Sequence, residues 1–121
     1  MASAILCVGD NEAALHPRKL VLESAGHQVQ TAVSAAVARE LIANQRFDLA
    51  IVDYYLAGIR GNELAAELKA FRPGMAVILL SGADGLEDLE HVDSFVHKGE
   101  GPQALLKEVE RLAKLRRRGG V

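Results

Sequence analysis

The chain has one cysteine, Cys7, so no disulfide can form within it. That cysteine lies in an apolar run, where a thiol keeps a high pKa, which argues against a nucleophilic role. A reduced, cytoplasmic setting is the simple expectation. A surplus of either charge is also missing. Fourteen Lys and Arg against 16 Asp and Glu leave a formal net charge of −2, which gives no general attraction to nucleic acid or to an anionic membrane. No apolar run approaches transmembrane length. Met1-Ala2-Ser3 leads straight into a strand-like run, leaving no room for a signal peptide. His16, His27, His91 and His97 are scattered without metal-site spacing. No glycine-rich phosphate loop follows the first apolar run, which weighs against a flavin or dinucleotide carrier. Internal repeats and low-complexity linkers are absent too. A chain of 121 residues, half of them apolar, then reads as one domain over 1–121 with a single well-filled core. Residues 116–121 are expected to be a frayed basic tail.

What the chain does contain is a series of short, unbroken apolar runs, each stopping at a polar residue. Leu49-Ala50-Ile51-Val52 ends at Asp53, Ala4-Ile5-Leu6-Cys7-Val8 at Gly9-Asp10, and Ala76 to Leu80 at Ser81-Gly82. Continuous runs of this length are typical of strands buried on both faces in a parallel sheet. Gln28 to Ala32 alternates polar and apolar, as an edge strand does. Ser94-Phe95-Val96-His97 reads as a last strand ending at Lys98-Gly99.

Helical spacing fills the intervals. Glu12 to Ala25 carries Leu15 and Leu22, but Pro17 lacks an N–H and disfavours helical angles at His16, so the helix is expected to begin near Pro17 or to kink before it. Gly26 should close it. Ser34 caps a second helix with Val37, Leu41 and Ile42, and Asn62 is placed to cap a third with Leu64, Leu68 and Phe71. A short helix is expected between Ala83 and Val92. Gly101-Pro102 opens a final amphipathic helix with Leu105, Leu106, Val109 and Leu112 on its apolar stripe. The basic residues that follow suit the negative end of that helix and are poor evidence for nucleic-acid contact. Strand and helix alternating throughout predict an α/β fold, with a parallel sheet covered on both faces.

With strands in the order 2-1-3-4-5, Asp10, Asp53, Ser81 and Lys98 converge at the sheet's carboxyl edge, where open α/β sheets bind ligands. In this order and approximate spacing, the runs Ile5 to Asp10, Asp48 to Asp53, Val77 to Ser81 and Phe95 to Lys98, with Gly61 eight residues after Asp53, resemble the receiver domain of two-component response regulators. The resemblance covers nearly the whole chain. It implies a doubly wound, flavodoxin-like sheet of five parallel strands, and a stand-alone receiver taking a phosphoryl group on Asp53 from a histidine kinase. It further implies Mg²⁺ held by Asp10, Asp53 and the backbone carbonyl of Tyr55, phosphoryl contacts from Ser81 and Lys98, and an aromatic switch position at Phe95. Such a chain accepts a phosphoryl group and is not itself an enzyme in the turnover sense. Its output would pass through an unknown downstream protein, with a homodimer left open and neither membrane nor nucleic acid expected as partner. The sequence departs from the family pattern at Gly9, where a first acid is usual, and at Ala57 and Gly99, where prolines are usual. Gly9 is the feature favouring a second reading, a degenerate receiver acting as a phosphorylation-independent interaction module. An aspartate-nucleophile phosphatase is disfavoured because Asp53-Tyr54-Tyr55 has no second acid two residues on.

Overall fold

The computed structural model describes residues 3–82 and 89–119. Five strands, β1 (Ala4–Val8), β2 (Gln28–Ala32), β3 (Leu49–Asp53), β4 (Ala76–Ser81) and β5 (Ser94–His97), form one all-parallel sheet in the order β2-β1-β3-β4-β5. Among the described residues, four helices accompany them: α1 (Glu12–Ser24), α2 (Ala35–Asn44), α3 (Gly61–Phe71) and α4 (Pro102–Gly119). A short 3₁₀ turn, Lys98–Glu100, precedes α4.

The unbroken apolar runs are the central strands, and every residue of β3 and β4 is buried. Because strand side chains alternate between faces, each run feeds two cores. Leu6, Val8, Ala50, Val52, Val77 and Leu79 pack with Ile42 of α2 and Leu64 and Leu68 of α3. Ile5, Cys7, Leu49, Ile51, Ile78 and Leu80 pack with Leu15 and Leu22 of α1 and with Leu105, Val109 and Leu112 of α4. Each fully buried Leu, Ile or Val contributes roughly 1.5–3 kcal/mol of transfer free energy. A one-residue slip in any strand would exchange both cores at once. Gln28–Ala32 is the sheet edge its alternation predicts.

Two expectations about helix starts need correction. α1 begins at Glu12, well before Pro17, and the proline lies inside it. Asn11 accounts for this: its side chain accepts from the Ala13 N–H at 3.0 Å, and its carbonyl accepts from Ala14 and Leu15 at 3.1 Å each. A capped first turn that buries Leu15 offsets the hydrogen bond lost at the proline. Asn62 does not cap α3; the helix starts at Gly61, Arg60 holds the cap position without a side-chain bond, and Asn62 is buried in the first turn. The remaining ends follow the sequence. Gly26, at φ +96°, closes α1 with Gly26 N–H to Glu23 O at 2.9 Å and His27 N–H to Leu22 O at 3.2 Å. Ser34 caps α2 through the Val37 N–H, and Pro102 opens α4.

At the amino edge of the sheet, the aspartates just before β3 and β5 each bind a neighbouring strand twice. Asp48 donates its N–H to Ala4 O at 2.8 Å and accepts the Ala4 N–H on its carboxylate at 2.8 Å. Asp93 does the same with Val77, at 2.9 and 2.7 Å, and also receives Lys69 Nζ at 2.6 Å. The short helix expected between Ala83 and Val92 falls largely outside the described residues; Leu89 to Val92 close a turn, Val92 N–H to Leu89 O at 3.1 Å. α4 is described to Gly119, and residues 120–121 lie outside the described residues.

Candidate functional site

The carboxyl edge of the sheet gathers the polar strand ends. Asp53 closes β3 and is 4% exposed. Two strands away, Lys98 follows β5 and reaches back, placing Nζ 3.5 Å from Asp53 Oδ1 while its side chain stays 44% exposed. Ser81 ends β4 between them, 1% exposed and in register with His97. Asp10 lies two residues beyond β1, exposed, close enough for its charge to act on Asp53.

The loop after β3 is set by Gly61. A Cβ there would run into the Asp53 carbonyl and stand 2.8 Å from Tyr54 Cα, so only glycine lets α3 start against the β3 end. The Gly61 N–H bonds the Tyr54 carbonyl at 2.7 Å. This approach, one residue before Asn62, is why the helix begins where it does. Tyr55 is 54% exposed. Its ring meets Tyr54 edge-on at 4.9 Å, with the Arg60 guanidinium 5.1 Å from its centroid. Phe95, opposite Leu79 in register, packs half-buried against the core on the α2 and α3 face.

One residue of the site was not anticipated. Arg18 Nη1 lies 3.4 Å from Asp53 Oδ1, with only 10% of its side chain exposed. The signal was present in the sequence: Leu15, Arg18 and Leu22 occupy positions i, i+3 and i+7, one face of a helix. A guanidinium on an otherwise apolar stripe must find an anion, because an unpaired buried charge is costly. Arg18, Ala14, Pro17, Leu80, His97 and Lys98 line a cleft of about 250 Å³ between α1, the end of β4 and the start of α4.

Burial pushes the Asp53 carboxyl above its ordinary range; Arg18 and Lys98 pull it back down, and Asp10 raises it slightly further. The two cations therefore reduce, and do not remove, the cost of holding this carboxylate out of water. Burial also pushes the Cys7 thiol up to about 12, which keeps it protonated and supports the expectation that it is not a nucleophile.

Receiver domains in general hold Mg²⁺ beside the acceptor. The donors for it here would be Asp10, Asp53 and the Tyr55 carbonyl, and they do not fit the ion well. A Cβ on Gly9 would collide with Asp53 Oδ2 and stand 3.3 Å from Leu15 Cδ2, so the Asp53 carboxylate itself occupies the space of a side chain at position 9. Its Oδ1 already meets two cations.

Comparison with known proteins agrees with this architecture. The response regulator receiver domain family matches residues 5–110. GlrR, a transcriptional regulatory protein of Escherichia coli K12, is 31% identical over 111 residues, covering 88% of this chain and 25% of GlrR. The heme response regulator HssR of Staphylococcus haemolyticus is 34% identical over 110 residues, covering 87% of this chain and 49% of HssR. The chain thus spans between a quarter and a half of these relatives. A CheY-like receiver domain protein from Methanospirillum hungatei superposes with a TM-score of 0.91 at 29% identity, covering 98% of this chain and 99% of that one. The BeF₃-activated DrrB receiver domain gives 0.81 at 27%, covering 94% and 99%. With the sheet order, the buried acid at the end of β3 and the lysine after β5 in place, the chain belongs to the response regulator receiver domain family.

Proposed function

We propose that this chain is a phosphoacceptor receiver of a two-component relay, taking a phosphoryl group on Asp53 from a phosphohistidine of a kinase. The supporting observation is the buried carboxylate at the end of β3 with Lys98 Nζ 3.5 Å from it. A carboxylate oxygen of Asp53 attacks phosphorus, the phosphorus–nitrogen bond of the donor breaks, and the leaving imidazole nitrogen takes a proton from solvent. The product is an acyl phosphate. Phosphoryl transfer relies on positioning and on neutralising the transferred oxygens, and Lys98, compact and half-exposed, supplies positive charge at the mouth of the site. Ser81 supplies a hydroxyl one residue beyond the β4 partner of Asp53. The chain accepts a group and passes on a state, through a protein partner, and does not turn over a substrate. Since the curated relatives are much longer than the matched region, only the receiver step is assigned to this chain.

Incubation with acetyl phosphate, followed by intact mass, tests the reading. One phosphoryl adduct is expected, lost in Asp53→Asn; an adduct surviving in that variant would refute the assignment. A second reading, a degenerate receiver that binds a partner irrespective of phosphate, is favoured by Gly9 and by the guanidinium already seated on Asp53. It predicts no adduct and an unchanged partner affinity in Asp53→Asn.

A further inference from the structure

Arg18 carries a further inference, which rests on the phosphoacceptor reading. Asp10 and Asp53 bring two negative charges to this corner, and Arg18 and Lys98 bring two positive ones, so the resting site sums to zero without a metal. A second acid at position 9 would leave it one charge negative, and that acid is missing: Gly9 stands there, its side-chain space taken by the Asp53 carboxylate. The cation comes instead from α1, anchored on the same helix face as Leu15 and Leu22. It is held by the core and not recruited from solution.

We propose that Arg18 takes the part of the divalent cation, so that Asp53 is charge-balanced and phosphorylated with no need of Mg²⁺. Arg18 suits the task. Its planar fork can contact the carboxylate and a phosphoryl oxygen together. In reaction with acetyl phosphate, an Asp53 oxygen forms the new bond to phosphorus, the bond from phosphorus to the acetyl oxygen breaks, and acetate leaves with the electron pair. The dianionic acyl phosphate adds one net negative charge, shared between Arg18 and Lys98.

The experiment compares adduct formation from acetyl phosphate with Mg²⁺ and with EDTA, in the wild type, Arg18→Gln and Arg18→Lys, each checked by thermal melting. The wild type should react at nearly the same rate in both buffers. Arg18→Gln should lose about tenfold or more in EDTA, the scale of a charge-assisted contact, and Arg18→Lys should recover part of it. A wild type that needs Mg²⁺ overturns the proposal, as does an Arg18→Gln that matches the wild type in EDTA. If no adduct forms in any sample, the phosphoacceptor reading falls, and Mn²⁺ titration decides Arg18 separately. Selective, saturable broadening of the Asp10 and Asp53 amide signals only in Arg18→Gln upholds its place at the cation position. Broadening in the wild type, or in neither, overturns it.

Discussion

At the scale of single residues, the site is governed by how little room surrounds Asp53. Gly9→Ala adds only a methyl group, but that methyl is aimed at Asp53 Oδ2 and Leu15 Cδ2. It should cost about 1–3 kcal/mol, as overpacking in a filled region does, and chemical denaturation will read it. Gly9→Asp should lose more in metal-free buffer and regain part on addition of Mg²⁺, since the new carboxylate forces Asp53 aside and supplies a further donor. The sign of the Asp53 pKa shift gives a second prediction. Its folded value is raised, chiefly by burial, against the pull of Arg18 and Lys98 and with a small push from Asp10. The stability it contributes is therefore full below the unfolded carboxylate value and is lost as pH rises through the folded one. Asp53→Asn keeps the neutral shape at every pH, so it should melt above the wild type at neutral pH. The gap should close as pH falls through the raised pKa toward 3.8. Melts from pH 7 downward will show whether the two curves converge.

At the scale of elements, the strands were legible and the helix starts were not. An unbroken run such as Leu49 to Val52 has one comfortable environment, the middle of a parallel sheet, and it went there. Helix starts depend on competition between local signals and distant packing. Pro17 signalled a start, but the Asn11 cap and the burial of Leu15 outweighed it. Asn62 has the composition of a cap, yet the contact of Gly61 with the Asp53–Tyr54 backbone fixed the start one residue earlier. Asp53 and Ser81 end strands and Lys98 follows one, so their convergence at the carboxyl edge was legible in the apolar runs. Arg18 was missed because a helix face needs a structure to say what it faces. The doubly bonded aspartates before β3 and β5 were equally hidden. Asp93→Ala removes the acceptor of the Val77 N–H and the partner of Lys69. It should destabilise the fold by about 1–3 kcal/mol, the cost of leaving a buried donor unmet, as an unfolding titration will show.

At the scale of the molecule, Lys98 links Asp53 to the end of β5 and the start of α4. Ser94 of β5 donates its hydroxyl to Glu108 of α4 at 2.6 Å, and Arg111 holds the same carboxylate at 2.8 Å. Strand and helix are thereby joined beside the exposed residues Lys107 and Arg111. Phosphorylation should change amide exchange first in β5 and the first two turns of α4. Exchange measured with a phosphoryl mimic would contradict this expectation if the changes were confined to α2 and α3.

With the paired bonds of Asp48 to Ala4 and of Asp93 to Val77, the sheet should be stiffer at its amino edge than at its carboxyl edge. Strands clipped at their amino ends and loaded at their carboxyl ends behave like tines fixed in a handle. A push at Asp53 meets little compliance near the clips and more toward the tips. Displacement should grow along β5 and be largest where the strand hands over to α4 through Gly101, whose φ of +84° lets the chain turn sharply. Loosening the Asp93 clip would let β5 shift as a whole, spreading the same push over its full length and blunting what reaches α4.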